Sequence, residues 1–207
     1  MIDPQQKNDG ELGEAFAVNM FMYKCRVPAE RIDDYYKRIF NIKSDRSPEK
    51  NHKEGDIHVY KPIQKINLLD AQQYYRKLLD IKVTKGGIPT LNLDDNWHKL
   101  TTAEYFNGVY HDYYLGIANF NNNPNDINQY VTYTLIKTSE VLNAILDSKN
   151  DYLVRPSDKE LVHGSRYLSK KIGIYGGADF TYFDSFKDLC PSYFESDNIN
   201  EILEKIN

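Results

Sequence analysis

With 207 residues, 41% of them apolar and 27% charged, the chain is long enough to bury a real core and too hydrophobic to be disordered throughout. A net charge of −4 removes the overall basic signature of a general nucleic-acid binder, yet leaves room for a local basic cleft in an acidic exterior. Two cysteines, Cys25 and Cys190, make neither a disulfide framework nor a zinc ligand set, and no apolar run approaches the roughly 18 residues that span a bilayer.

The opening "MIDPQQKNDG" is polar and shows no secretory pattern, so a soluble, cytoplasmic protein with no membrane partner is expected. The 17 tyrosines offer rings that stack on bases and hydroxyls that reach phosphates, although a compositional habit of Asn/Lys/Ile/Tyr-rich chains is the plainer reading.

In chain order, "DGELGEAFAVNMFMYKC" (9–25) reads as a helix, with Asp9 as N-cap and Leu12, Phe16 and Met20 at helical spacing. Glu14 shares a stripe with Val18 and Phe21, which turns it inward or toward a cleft. Pro28 opens a second predicted helix, "PAERIDDYYKRIFNI". The charge-dense stretch 43–55 is a loop, and "GDIHVYKPI" (55–63) alternates like a strand. "INLLDAQQYYRK" (66–77) reads as a helix or an extended connection.

"LLDIKVTK" (78–85) is the clearest strand, closed by Gly86 and Gly87. Its alternation puts Leu79, Ile81 and Val83 on one face and Asp80, Lys82 and Thr84 on the other. "HDYYLGIANF" (111–120) and "QYVTYTLIKT" (129–138) are strands on either side of an Asn-rich loop, and "SEVLNAILDS" (139–148) is a helix. The tail mixes short strands and helices around the basic patch "RYLSKK" (166–171). Helices bracketing a run of strands predict an α/β fold, a mixed central sheet flanked by helices, in one domain spanning 1–207.

Three acids and a lysine line up in chain order: Glu14 on the first helix, Asp56 at the head of a strand, and Asp80 with Lys82 on the next clear strand. "GELGEAFA", "EGDIHVY" and "LLDIKVTKGG" together resemble the PD-(D/E)xK nuclease superfamily, the restriction-endonuclease-like fold. There a helix glutamate, an aspartate heading one strand and an acid-x-lysine pair on its neighbour recur in this order. The run from Asp112 to Leu146 is similar to the strand–strand–helix sequence that follows the pair, so the resemblance covers about residues 10–148. Gly55 stands in place of the family proline. The distance from Asp56 to Asp80 implies an inserted helix or longer loop.

The resemblance implies a Mg²⁺-dependent endodeoxyribonuclease, of the type II restriction kind, working as a homodimer on double-stranded DNA. In that reading Asp56 and Asp80 hold the metal with the backbone carbonyl of Ile81. Lys82 holds or activates the attacking water and offsets charge at phosphorus. Glu14 acts from the helix, through a metal-bound water or by orienting Lys82. Phosphodiester hydrolysis wants such a set because negative charge builds on an already anionic group. Residues 150–207 are expected to be a DNA-contacting or dimerisation extension, with His163, Ser165, Arg166, Lys170 and Lys171 at phosphates or bases.

Other readings compete. "LVHGSRYL" (161–168) resembles the His-Gly-Ser/Thr strand of poly(ADP-ribose) polymerase-like transferases, which would give an NAD-dependent ADP-ribosyltransferase built on His163, Gly164 and Ser165. Tyr175 or Tyr182 would then stack on nicotinamide and Glu195 would be the catalytic acid. A non-catalytic defence or anti-defence binding protein is the third class. "HKE" (52–54) lacks the paired cysteines of a zinc deaminase. Pro48 breaks the helix that Arg46 and His52 would need for a helical ribonuclease, and "IGIYGG" is a glycine-rich turn. Asp94 and Asp95, by default a turn, are an alternative second carboxylate to Asp56, and Trp97 reads as a core aromatic.

Overall fold

The structure, a computed structural model, describes residues 4–39, 55–62, 74–92, 111–147 and 180–206. Helix α1 (Pro4–Asn19) runs on into a wider π-type turn, Met20–Lys24. Strand β1 (Ala29–Arg31) leads directly into α2 (Ile32–Ile39). Strands β2 (Ile57–Pro62), β3 (Tyr74–Val83), β4 (Thr90–Asn92), β5 (Tyr113–Ala118) and β6 (Thr132–Lys137) follow. Then come α3 (Thr138–Asp147), β7 (Phe180–Tyr182) with a 3₁₀ turn at Phe183–Phe186, β8 (Phe194–Ser196) and α4 (Ile199–Lys205).

Six strands form one sheet in the order β1-β2-β3-β5-β6-β8; β4 and β7 pair separately. All neighbours in the large sheet are antiparallel except β3 and β5, which run parallel from Leu79↔Tyr113 to Val83↔Ile117. The predicted mixed α/β architecture is therefore what the chain forms. β5 is buried at every position because both sheet faces are covered there. On one face Phe16, Ala17 and Met20 of the α1 segment and Ile199 and Ile202 of α4 pack over Leu79, Ile81 and Leu115. On the other, Val141 and Leu142 of α3 join Leu91, Phe183 and Phe186 over Tyr114 and Ile136. Among the described residues no helix is long and apolar enough to cross a membrane.

Three sequence expectations shift. Asp9 is not an N-cap: α1 starts earlier, and the Asp9 carboxylate instead pairs with Lys85 at 3.2 Å and accepts from Asn122 at 2.7 Å. The second helix begins at Ile32 rather than Pro28. Ala29–Arg31 pair with Val59–Ile57, and the Pro28 carbonyl accepts from the Tyr60 N–H at 2.8 Å, so these backbone groups are satisfied as an edge strand. Within 66–77, Tyr74–Lys77 are strand, pairing with Pro62–Val59 through β-favouring tyrosines. The predicted loop at 43–54 and the rest of 66–77 lie outside the described residues.

Gly13 decides how closely α1 lies on the sheet. A Cβ there would collide with both γ-methyls of Val83 on β3, and β-branched valine has little freedom to turn away. Gly13→Ala is expected to lower stability by about 1–3 kcal/mol, although alanine alone favours a helix by about 1 kcal/mol. Urea denaturation measures it, and Val83→Ala in the same chain should recover part of the loss. An equally or more stable Gly13→Ala protein would refute the close approach.

Candidate active site

Strand period brings Asp80 and Lys82 to one face of β3, the face opposite α1. Leu79 and Ile81 belong to the α1-side core, whereas Asp80 pairs in register with Tyr114, a member of the other cluster. Asp80 is only 5% exposed, so it is no surface ornament. The Lys82 ammonium lies against Asp80 Oδ1 as an ion pair, with the lysine side chain still 34% exposed. Burial weighs against the Lys82 charge, but Asp80 and then Asp56 outweigh it and hold its proton above the ordinary lysine range.

Asp56 arrives from the other direction. Its N–H donates to Leu79 O at 2.7 Å, although Leu79 already faces Ile57, so two residues oppose one and the strand bulges as it starts. Gly55 precedes it at φ +89°, and a Cβ there would press on Leu79 O at 2.8 Å. Asp56 Oδ2 accepts the Ile81 N–H at 2.7 Å, filling the ladder position that β2 no longer reaches. Odd-numbered β3 residues thus turn their backbone toward β2, and the Ile81 carbonyl lies on the same side as the Asp56 carboxylate.

Glu14 sits on α1, its side chain 15% exposed, and Oε2 accepts from Arg31 Nε at 2.8 Å and Nη2 at 2.7 Å. Burial weighs against the Arg31 charge and Glu14 outweighs it. Glu14 still acts on Asp56 through space. Burial first, then the charges of Asp80 and more weakly Glu14, push the Asp56 carboxyl up to about 7; Lys82 and the Ile81 N–H act the other way. Asp56, Asp80 and Lys82 are therefore brought together where β2 meets β3, while Glu14, on the α1 side, reaches that group through its charge on Asp56 and is bonded to Arg31, which the helix expected from Pro28 hides in the sequence.

A second polar group lies further along the same strands. His58 on β2 is 1% exposed, against Tyr35 of α2 with ring centres 4.5 Å apart. Burial and Arg76 push its imidazole down to about 4, Glu30 opposing and Arg38 assisting, so it is neutral at ordinary pH.

Among the described residues no three His, Cys, Asp or Glu side chains converge tightly enough to hold a metal unaided. The donor set that is present, two carboxylates and one carbonyl, is of hard oxygen. It suits Mg²⁺, which takes one or two protein carboxylates and completes its shell with water and phosphate. Burial and the Asp80 carboxylate, which together raise the Asp56 titration, are what such a cation would offset.

The expected DNA contacts His163, Ser165, Arg166, Lys170 and Lys171 lie outside the described residues, as do Gly164, Tyr175, Asp94, Asp95 and Trp97. Of the transferase set, Tyr182 is in β7 of the small sheet and Glu195 is exposed on β8 of the large one, accepting from Tyr193 Oη at 3.0 Å. Comparison of the chain with protein-family models, with curated proteins and with solved structures returns no match.

The raised Asp56 titration has a definite sign. Between its ordinary value of 3.8 and about 7 the folded chain keeps a proton that the unfolded chain has released. Stability should fall as pH rises through that window and level off above it. In chelated buffer, Asp56→Asn is expected to gain on the parent protein by on the order of 3 kcal/mol between pH 4 and pH 8. Denaturant titrations across that range test it; a constant difference would mean that Asp56 is ionised throughout.

Proposed function

We propose that the chain is a Mg²⁺-dependent endodeoxyribonuclease with a restriction-endonuclease-like fold, cutting double-stranded DNA as a homodimer. The observation that carries this reading is the junction itself: two carboxylates and a lysine, from the head of β2 and from β3, lie together, and a half-buried helix glutamate acts on Asp56 from the α1 side. Leaving aside β4 of the small sheet, β5, β6 and α3 also follow the acid-x-lysine strand as the family's strand–strand–helix order does.

Asp56 and Asp80 would hold the cation together with the Ile81 carbonyl. Bound there, Mg²⁺ supplies charge to polarise the phosphate and to favour hydroxide over water. Lys82, held charged by its two carboxylate neighbours, orients the attacking water and offsets negative charge at phosphorus. Asp80 positions the Lys82 ammonium, and the third of the lysine side chain left exposed is the part that meets substrate. Glu14 and Arg31 fix α1 against β1, the edge strand that pairs with β2 next to Asp56. A two-fold symmetric DNA site cut in both strands asks for two such centres, hence two chains.

Plasmid cleavage that requires Mg²⁺ and stops with chelator is the expected activity. Asp80→Ala and Lys82→Ala should each reduce it by about 100-fold or more, with circular dichroism confirming that the variants fold. Asp56→Ala should lose activity comparably, while Asp94→Ala and Asp95→Ala keep it. Cleavage by the Asp80 and Lys82 variants at the parental rate would sink the assignment.

A further inference from the structure

We propose that Arg38, Arg76 and Tyr35 form a subsite gripping the DNA backbone to one side of the scissile phosphate, an inference that rests on the nuclease reading. The two arginines come from α2 and β3, and each places its guanidinium carbon 5.5 Å from the centre of the Tyr35 ring. Arg76 Nη1 also donates to Tyr35 Oη at 3.2 Å. Both arginines are exposed, the Arg38 side chain by 60%. Two cations gathered on one half-buried ring repel each other, and an anion lying between them removes that cost.

The local acid does not already do so for both. Glu30 Oε1 accepts from Arg38 Nη2 at 2.8 Å and from Tyr60 Oη at 2.5 Å, so one carboxylate is divided between one arginine and a tyrosine. Guanidinium forks and a phenol are the side chains that bind phosphodiester oxygens, and an aromatic face accepts a base or sugar. The ring is also braced from beneath. Tyr35 rests on buried His58, and its edge meets Tyr36 with ring centres 5.4 Å apart, so little ordering is needed when a strand arrives.

Position ties this group to the junction. Tyr60 faces Arg76 and His58 faces Leu78 in the β2–β3 register. Arg76, Leu78, Asp80 and Lys82 alternate onto one face of β3. Arg76 is four residues from Asp80, roughly 13 Å along the strand, which is about four nucleotides of axial rise on one strand of a duplex. A backbone whose scissile phosphate meets Lys82 therefore has a further phosphate within reach of Arg76 and Arg38.

The test is fluorescence anisotropy with a labelled duplex over a salt series, in chelator and again with Ca²⁺, for the whole chain. Arg38→Ala/Arg76→Ala should weaken binding about 10-fold or more and reduce the salt slope by about two. Arg38→Lys/Arg76→Lys should restore the slope, and Lys187→Ala, an exposed lysine outside this group, should change neither. With Mg²⁺ the double alanine variant should raise KM and leave kcat within about two-fold, which a merely structural role would not produce. Unchanged affinity and slope in a protein that still cleaves DNA would overturn the subsite alone. An equal loss in Lys187→Ala would do the same, by showing only general charge. A parent protein that neither binds nor cuts duplex in any buffer would overturn the nuclease reading and the subsite together.

Discussion

Asp80 is a carboxylate turned into the covered face of a sheet, and such a group loses several kcal/mol of hydration unless a partner comes with it. The partner is two residues away, because a strand returns to the same face every second residue, and Lys82 lies on it. That pair alone would be neutral. Asp56 and Glu14 bring two further negative charges to the same junction and Arg31 only one positive, so the region carries an excess anion in a medium that solvates it poorly. Burial, with the Asp80 and Glu14 charges adding to it, raises the titration of Asp56.

Backbone geometry holds that excess in place. β2 begins at a bulge, so the ladder stops short of Ile81, and the Asp56 side chain fills the gap. Gly55 supplies the turn that no side chain would tolerate against Leu79 O. On the other side, Gly13 lets α1 settle onto Val83, which brings Glu14 to the level of Arg31 on the edge strand. Two glycines and one interrupted ladder thus hold together five charges from α1, β1, the head of β2 and β3.

What could be read in advance follows from how local each feature is. Alternation over 78–84 separates Leu79, Ile81 and Val83 from Asp80 and Lys82 without any tertiary knowledge, and the structure keeps that division. The stripe through Glu14, Val18 and Phe21 likewise turns the glutamate inward or toward a cleft, and its side chain is 15% exposed. Arg31 was out of reach because Pro28 and the acids after it form a plausible helix start, and only pairing with β2, far along the chain, makes 29–31 a strand. The same long-range pairing converts Tyr74–Lys77 to strand and brings Arg76 beside Tyr35. Mixed α/β layering was legible. The order of strands was not, since the parallel β3–β5 contact joins segments about thirty residues apart.

Asparagine at position 56 would meet every structural demand placed on the residue. Its carbonyl oxygen would accept the Ile81 N–H, it is as tolerant of a bulged strand start, and it would add no charge to a junction already rich in acid. Asparagine is abundant elsewhere in the chain, so nothing in the composition works against it. The aspartate therefore contributes something that the fold does not need and that costs stability once ionised. The proposed cation site would give that second oxygen a use, because two carboxylates beside a lysine suit the binding of a cation together with an anionic substrate.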